Sequence, residues 1–175
     1  MSAPPLPEQI APFKLARQGV SLRGNFKLGK MARLAESLVD SQGGVDVDLH
    51  FDIDQQGTSY MRGQLNALVN VECQRCMRPM RAPVTSTVSV GFVTSVEQVS
   101  DLPEAYEPCV LSGDVTALVD LVEDELILAL PIVSVHPDQA CQPWFEQTGK
   151  QQVEETPVEE KENPFAILES LKKGS

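Results

Sequence analysis

Cys73 and Cys76 stand in the run VECQRCMRPMRAP, residues 71–83, with a two-residue spacer that lets both thiolates reach one metal ion. The same run carries Arg75, Arg78 and Arg81, the densest positive cluster in the chain. Three chemistries suit these residues. A thiolate pair is half of a tetrahedral zinc site, and the other half is best supplied by His136 and Cys141 in VHPDQAC, with Cys109 as a substitute. A C-x-x-C pair can also exchange disulfides, provided a helix N-terminus lowers one thiol pKa. Guanidinium groups can make bidentate contacts with phosphates or with an acidic protein surface, unless they pair with carboxylates on neighbouring strands. Zinc is the cofactor these residues suggest, and no other is called for.

The elements around the run narrow the choice. In VDVDLHFDID, residues 45–54, Val45, Val47, Leu49, Phe51 and Ile53 alternate strictly with Asp46, Asp48, His50, Asp52 and Asp54, the pattern of a half-buried strand. QQG at 55–57 supplies a turn. The following segment puts Met61, Leu65, Ala67, Val69 and Val71 on one face, and after the cysteines Val84, Val88, Val90 and Phe92 keep the alternation. Three antiparallel strands result, with the cysteines at the second hairpin tip. No helix follows them and no βαβ pattern surrounds them, which counts against the redox chemistry. The row of aspartates with His50 is a solvated strand face, because same-face residues sit about 7 Å apart, too wide to share one ion.

The remaining segments complete an α+β fold: an antiparallel β-meander packed with two or three helices. FKLARQ at 13–18 is a short helix ended by Gly19, and VSLRGNFKL at 20–28 is a strand with Val20, Leu22 and Leu28 as its apolar members. KMARLAESLV at 30–39 has a helical stripe of Met31, Leu34, Ala35 and Leu38. Residues 97–113 are an irregular acidic connection. A helix over 114–131 starts at Asp114 as N-cap and carries the stripe Val115, Leu118, Val119, Val122, Leu126 and Ala129, with Asp120, Glu123 and Asp124 on the other side. IVSV at 132–135 is read as one more short strand. The domain then spans 13–147, preceded by a proline-rich flexible arm at 1–12 and followed by a disordered acidic linker at 148–162. Over 163–175 a short amphipathic helix lines up Phe165, Leu168 and Leu171, to dock on a partner or fold back on the core.

Charge excludes some functions. The net charge is −11, yet residues 1–100 carry ten Lys/Arg against nine Asp/Glu, whereas residues 101–175 carry four against sixteen. Such a chain does not bind nucleic acid through bulk charge; RNA contact is local and on the first half, and the acidic half suits a basic partner. No apolar run approaches the roughly 18 residues that span a bilayer. The N-terminus lacks the basic and apolar regions of a signal peptide, so a cytoplasmic protein without membrane contact is expected. Four cysteines in that compartment are not a disulfide framework. Phosphate-loop, dinucleotide and Ser/His/Asp signatures are all missing from the sequence, and nothing points to a small-molecule substrate.

Four segments in order, ECQRCMRP (72–79), LPEAYEP (102–108), DLVEDELILALPIVSVH (120–136) and NPFAILESLK (163–172), resemble the bacterial YceD family of large ribosomal RNA subunit accumulation proteins. The resemblance implies a non-enzymatic role in synthesis, processing or stability of 23S rRNA, hence in large-subunit biogenesis. Its implied partners are large-subunit precursor rRNA, a basic ribosomal protein, or both. It supplies no catalytic residues. Some members carry a second cysteine group after the long helix, where this sequence has only Cys141 and, five residues earlier, His136. The alternative from the residues alone is a zinc-stabilised regulatory or protein-interaction module unrelated to RNA.

Overall fold

A computed structural model describes residues 5–137 and residue 141. In chain order its elements are β1 (Gln9–Ile10), α1 (Pro12–Gln18), β2 (Ser21–Lys27), α2 (Ala32–Ala35), β3 (Gly44–Ile53), β4 (Ser59–Glu72), β5 (Pro79–Val93), β6 (Glu107–Val110), β7 (Thr116–Ala117) and α3 (Leu118–Ala129). Short 3-10 turns occupy Leu28–Lys30 and Val96–Asp101.

Strands β2 to β6 form one sheet in the order β2-β3-β4-β5-β6, antiparallel except for the last pair. The meander follows from the alternation in sequence. Val45, Val47, Leu49 and Phe51 of β3, Met61, Leu65 and Val69 of β4, and Val84, Val88 and Phe92 of β5 are all buried on one face. Leu118, Val122 and Leu126 of α3 join the same core. The opposite face holds the β3 carboxylates, exposed or half-buried, with Arg23 of β2 donating to Asp48 at 2.9 Å and Asn25 to Asp46 at 2.9 Å. Positive φ at glycine shapes two of the turns that flank the sheet's first strands. Gly19 (61°) ends α1, and Gly57 (88°) closes the β3–β4 hairpin beside Asp54, which accepts from Gln56 and Thr58 N–H at 2.9 Å each.

The structure departs from the sequence reading at several points. Residues 5–12 are not loose: Leu6 and Ile10 are buried and β1 pairs with β7. Local composition there is proline-rich and has no strand periodicity; the partner strand lies over a hundred residues away. In β2 the buried side chain is Phe26, while Val20 and Leu22 are half-buried and Leu28 is buried in the turn that follows. The helix expected over 30–39 shortens to α2, because Val39 N–H donates to Asn70 O at 2.8 Å and draws the chain to the sheet. The connection 97–113 contributes β6, a parallel edge strand. Asp114 caps nothing and Val115 is exposed, since Thr116–Ala117 are used as β7 and α3 starts only at Leu118. Ile53, too, is exposed rather than inward.

Glu123 is the largest departure. It is 4% exposed and faces α2, not solvent. One oxygen accepts from Leu34 N–H at 2.9 Å; the other accepts from Arg33 Nε at 3.1 Å and a terminal Arg33 nitrogen at 3.0 Å. Arg33 also pairs with Asp124. Residues 132–135 form no strand: Ile132 is 93% exposed, and the segment is held by its backbone, with Gln74 N–H donating to Ser134 O at 2.8 Å and the Gln74 side chain to Ile132 O at 3.2 Å. The linker expected at 148–162 and the helix with Phe165, Leu168 and Leu171 lie outside the described residues.

Candidate metal centre

The turn between β4 and β5 is where the chemistry-bearing residues meet. Gln74 to Cys76 form a tight turn closed by two backbone bonds, Met77 N–H to Cys73 O at 2.8 Å and Cys73 N–H to Arg78 O at 2.9 Å. Met77 takes φ 57°, a left-handed conformation that costs a non-glycine residue about 1–2 kcal/mol. This geometry turns both cysteine side chains to the same side. The chain leaving α3 returns to the tip through the Gln74 bonds and delivers His136 and Cys141.

One sulfur or nitrogen from each of Cys73, Cys76, His136 and Cys141 lies within 4.8 Å of all the others. The Cys73 and Cys141 sulfurs are 3.7 Å apart and His136 Nδ1 is 3.4 Å from the Cys76 sulfur. A disulfide needs about 2.05 Å, so these are free thiols. All three sulfurs are buried, in a cluster with Met80 that is separate from the main core. His136 Nε2 is 3.2 Å from Pro79 O, and a carbonyl can only accept. Nε2 therefore carries a proton, and in the neutral ring the Nδ1 lone pair faces the sulfurs.

The electrostatics favour negative sulfur at Cys73 and Cys76 but not at Cys141. Burial pushes the Cys73 thiol up, but backbone N–H groups of His136, Arg75 and Cys76 aimed at its sulfur outweigh that and bring it down to about 5. For Cys76 burial again pushes up, and the Arg78 backbone N–H with the Cys141 and Arg78 side chains brings the thiol below its usual value. Cys141 is raised by burial in spite of Arg75, and His136 is raised by its hydrogen bonds to Cys73 foremost.

The three arginines separate. Arg75 folds inward, donating from Nε to the Cys141 sulfur at 3.0 Å and from a terminal nitrogen to His136 O at 3.1 Å. It belongs to the cluster rather than to a presented surface. Arg78 and Arg81 are exposed, and among the described residues neither forms an ion pair with a carboxylate. Elsewhere on the first half of the chain, Arg23 pairs with Asp48, Lys30 with Glu8, and Arg33 with Glu123 and Asp124. Cys109, offered as a substitute ligand, sits on β6 and packs against the main core. Sequence reasoning missed the inward role of Arg75 and the buried Glu123. It also missed Arg62, which lies over the Tyr60 and Tyr106 rings at 5.0 and 4.8 Å. No helix among the described residues is long and apolar enough to cross a membrane.

A mostly antiparallel sheet with a Cys/His cluster at one hairpin tip is the class of protein this fold and site define. The chain belongs to the YceD family, whose model, described as Large ribosomal RNA subunit accumulation protein YceD, matches residues 61–172. Among individual proteins, it is 37% identical over 172 residues to the Large ribosomal RNA subunit accumulation protein YceD of Haemophilus influenzae, covering 95% of this chain and 96% of that one. No solved structure matches it.

Proposed function

We propose that this chain is a non-enzymatic cytoplasmic factor that sustains accumulation of large-subunit 23S rRNA during ribosome biogenesis. The observation that carries the reading is its near full-length similarity to a relative named for that role. Two physical features support it. The Cys/His cluster offers four groups that could hold a metal ion, and a set closed by four protein ligands would leave no open position for a reacting water or substrate. Arg78 and Arg81 stand exposed at the tip and, among the described residues, form no ion pair with a carboxylate, which leaves them placed to meet phosphates locally. A chain of net charge −11 is a poor free-standing RNA binder, so its action is chiefly through protein contacts, with a basic ribosomal protein suited to the acidic half.

Deleting the gene and measuring large-subunit against small-subunit rRNA tests the reading. Loss of 23S rRNA, restored by the wild-type chain, is expected. An unchanged ratio, with no large-subunit precursor or ribosomal protein co-purifying, would sink it. Rescue by Arg78→Glu with Arg81→Glu as complete as by wild type would remove the tip from the contact. The second reading, a metal-stabilised interaction module unrelated to RNA, draws on the same cluster and is favoured by an unchanged ratio together with a captured non-ribosomal partner.

A further inference from the structure

The geometry points to a structural Zn²⁺ centre at the β4–β5 tip, ligated by the sulfurs of Cys73, Cys76 and Cys141 and by His136 Nδ1, with Arg75 as its charge partner. This inference stands apart from the rRNA reading. A zinc ion with Zn–S of about 2.3 Å and Zn–N of about 2.0–2.1 Å has tetrahedral edges of about 3.8 Å between sulfurs and about 3.6 Å between sulfur and nitrogen. The observed 3.7 Å and 3.4 Å match both kinds of edge, and a widest pair within 4.8 Å needs to draw in by only about 1 Å.

The surroundings of the ligands fit the ion as well as the ligands do. His136 holds its Nε2 proton against Pro79 O, the arrangement in which an outer carbonyl fixes the ring of a metal-binding histidine and leaves the other nitrogen to ligate. His136 N–H points at the Cys73 sulfur at 3.4 Å, as donors to a metal-bound thiolate do. On binding, the thiols lose their protons to solvent, and Zn²⁺ with three thiolates and a neutral imidazole carries a net charge of −1. A buried negative charge requires a partner, and the Arg75 guanidinium at 3.0 Å from the Cys141 sulfur brings the local sum to zero.

The same arrangement says what the ion does. Residues 131–137 have no regular structure, expose Ile132, Val133 and Val135, and are fastened to the tip by Gln74, Arg75 and the cluster. A set of four protein ligands is the structural kind, so the ion staples this segment to the hairpin and holds Met77 in its strained conformation. A sulfur-rich tetrahedral set selects zinc over harder ions, with iron as the competing metal.

The experiment uses the full chain, purified without chelator and assayed for metals by mass spectrometry. About one zinc per chain is expected. Cys141→Ser should lose most of it, whereas Cys109→Ser should keep it. Arg75→Ala should release zinc to a competing chelator about 10–100-fold more readily, with Arg75→Lys closer to wild type. Because cysteine variants can fail to fold, the wild-type chain is also stripped and refilled with Co²⁺. Intense tetrahedral d–d bands with sulfur-to-cobalt charge transfer support the centre. Folded wild-type chain that holds far less than one zinc and gives no such spectrum overturns it, as does iron in place of zinc or full retention by Cys141→Ser.

Discussion

Replacing Glu123 by alanine should destabilise the whole domain, because its carboxylate is the buried polar link between α3 and α2. The side chain is 6% exposed and accepts three hydrogen bonds, from Leu34 N–H at 2.9 Å and from two Arg33 nitrogens at 3.1 and 3.0 Å. Truncation leaves Leu34 N–H without its acceptor in a buried position, at a cost of about 1–3 kcal/mol. Loss of one buried methylene, Cγ, adds roughly 0.8 kcal/mol. The Arg33 side chain is 54% exposed and keeps Asp124, so it rehydrates and adds little. The sum is about 2–4 kcal/mol, which for a domain of this size lowers Tm by roughly 5–15 °C. Urea unfolding followed by circular dichroism measures it. Glu123→Gln, which keeps one acceptor but turns an amide N–H₂ toward Arg33, should fall between the two. A Glu123→Ala midpoint that corresponds to less than about 0.5 kcal/mol would refute the reasoning, because the Leu34 N–H would then have another acceptor.

Other perturbations probe the tip and the sheet. Met77→Gly relieves the left-handed strain at φ 57° but loosens the unfolded chain, so a net gain of up to about 1 kcal/mol is expected in thermal unfolding, and a loss would contradict the strain. Gly63→Ala would set a Cβ against the Asp48 carbonyl oxygen across the β3–β4 pair, so a cost of about 1–3 kcal/mol is expected in urea denaturation; an unchanged midpoint would show that the strands part freely. Burial raises the Asp54 carboxyl, but the backbone N–H groups of Thr58 and Gln56 outweigh it and hold the group below its ordinary 3.8. A depressed carboxyl stabilises above its unfolded value and loses that contribution as pH falls through the folded one. The deficit of Asp54→Ala at neutral pH should therefore shrink below about pH 3.8 in pH-dependent unfolding, and a constant deficit would count against the ionised acceptor.

The meander was legible because period-two alternation is local: Val45 to Phe51 and Met61 to Val71 name their buried face in their own spacing. The four residues of the tip cluster were legible as ligand types, and the hairpin fixed half of their geometry. What stayed hidden depends on distant partners. β1 and β7 are two residues each and carry no periodicity, and β6 lies in an acidic stretch whose pairing with Phe92 and Val93 no local pattern announces. Glu123 shares its helix with the acidic Asp120 and Asp124, and only its 90-residue link to Arg33 makes it a buried group. Arg75 looked like a surface charge until the chain brought Cys141 back to it.

The long separation within the cluster gives it a history during synthesis. Cys73 leaves the ribosome ahead of His136 by 63 residues and ahead of Cys141 by 68. At about 5–20 residues per second, the first two thiols wait roughly 3–14 s for the second pair. Through that interval the nascent hairpin carries an incomplete thiol pair and an Arg75 with neither Cys141 nor the His136 carbonyl to hold it. The tip is therefore among the last parts of the domain to mature, and the thiols of the newly made chain are most open to oxidants before its final third appears.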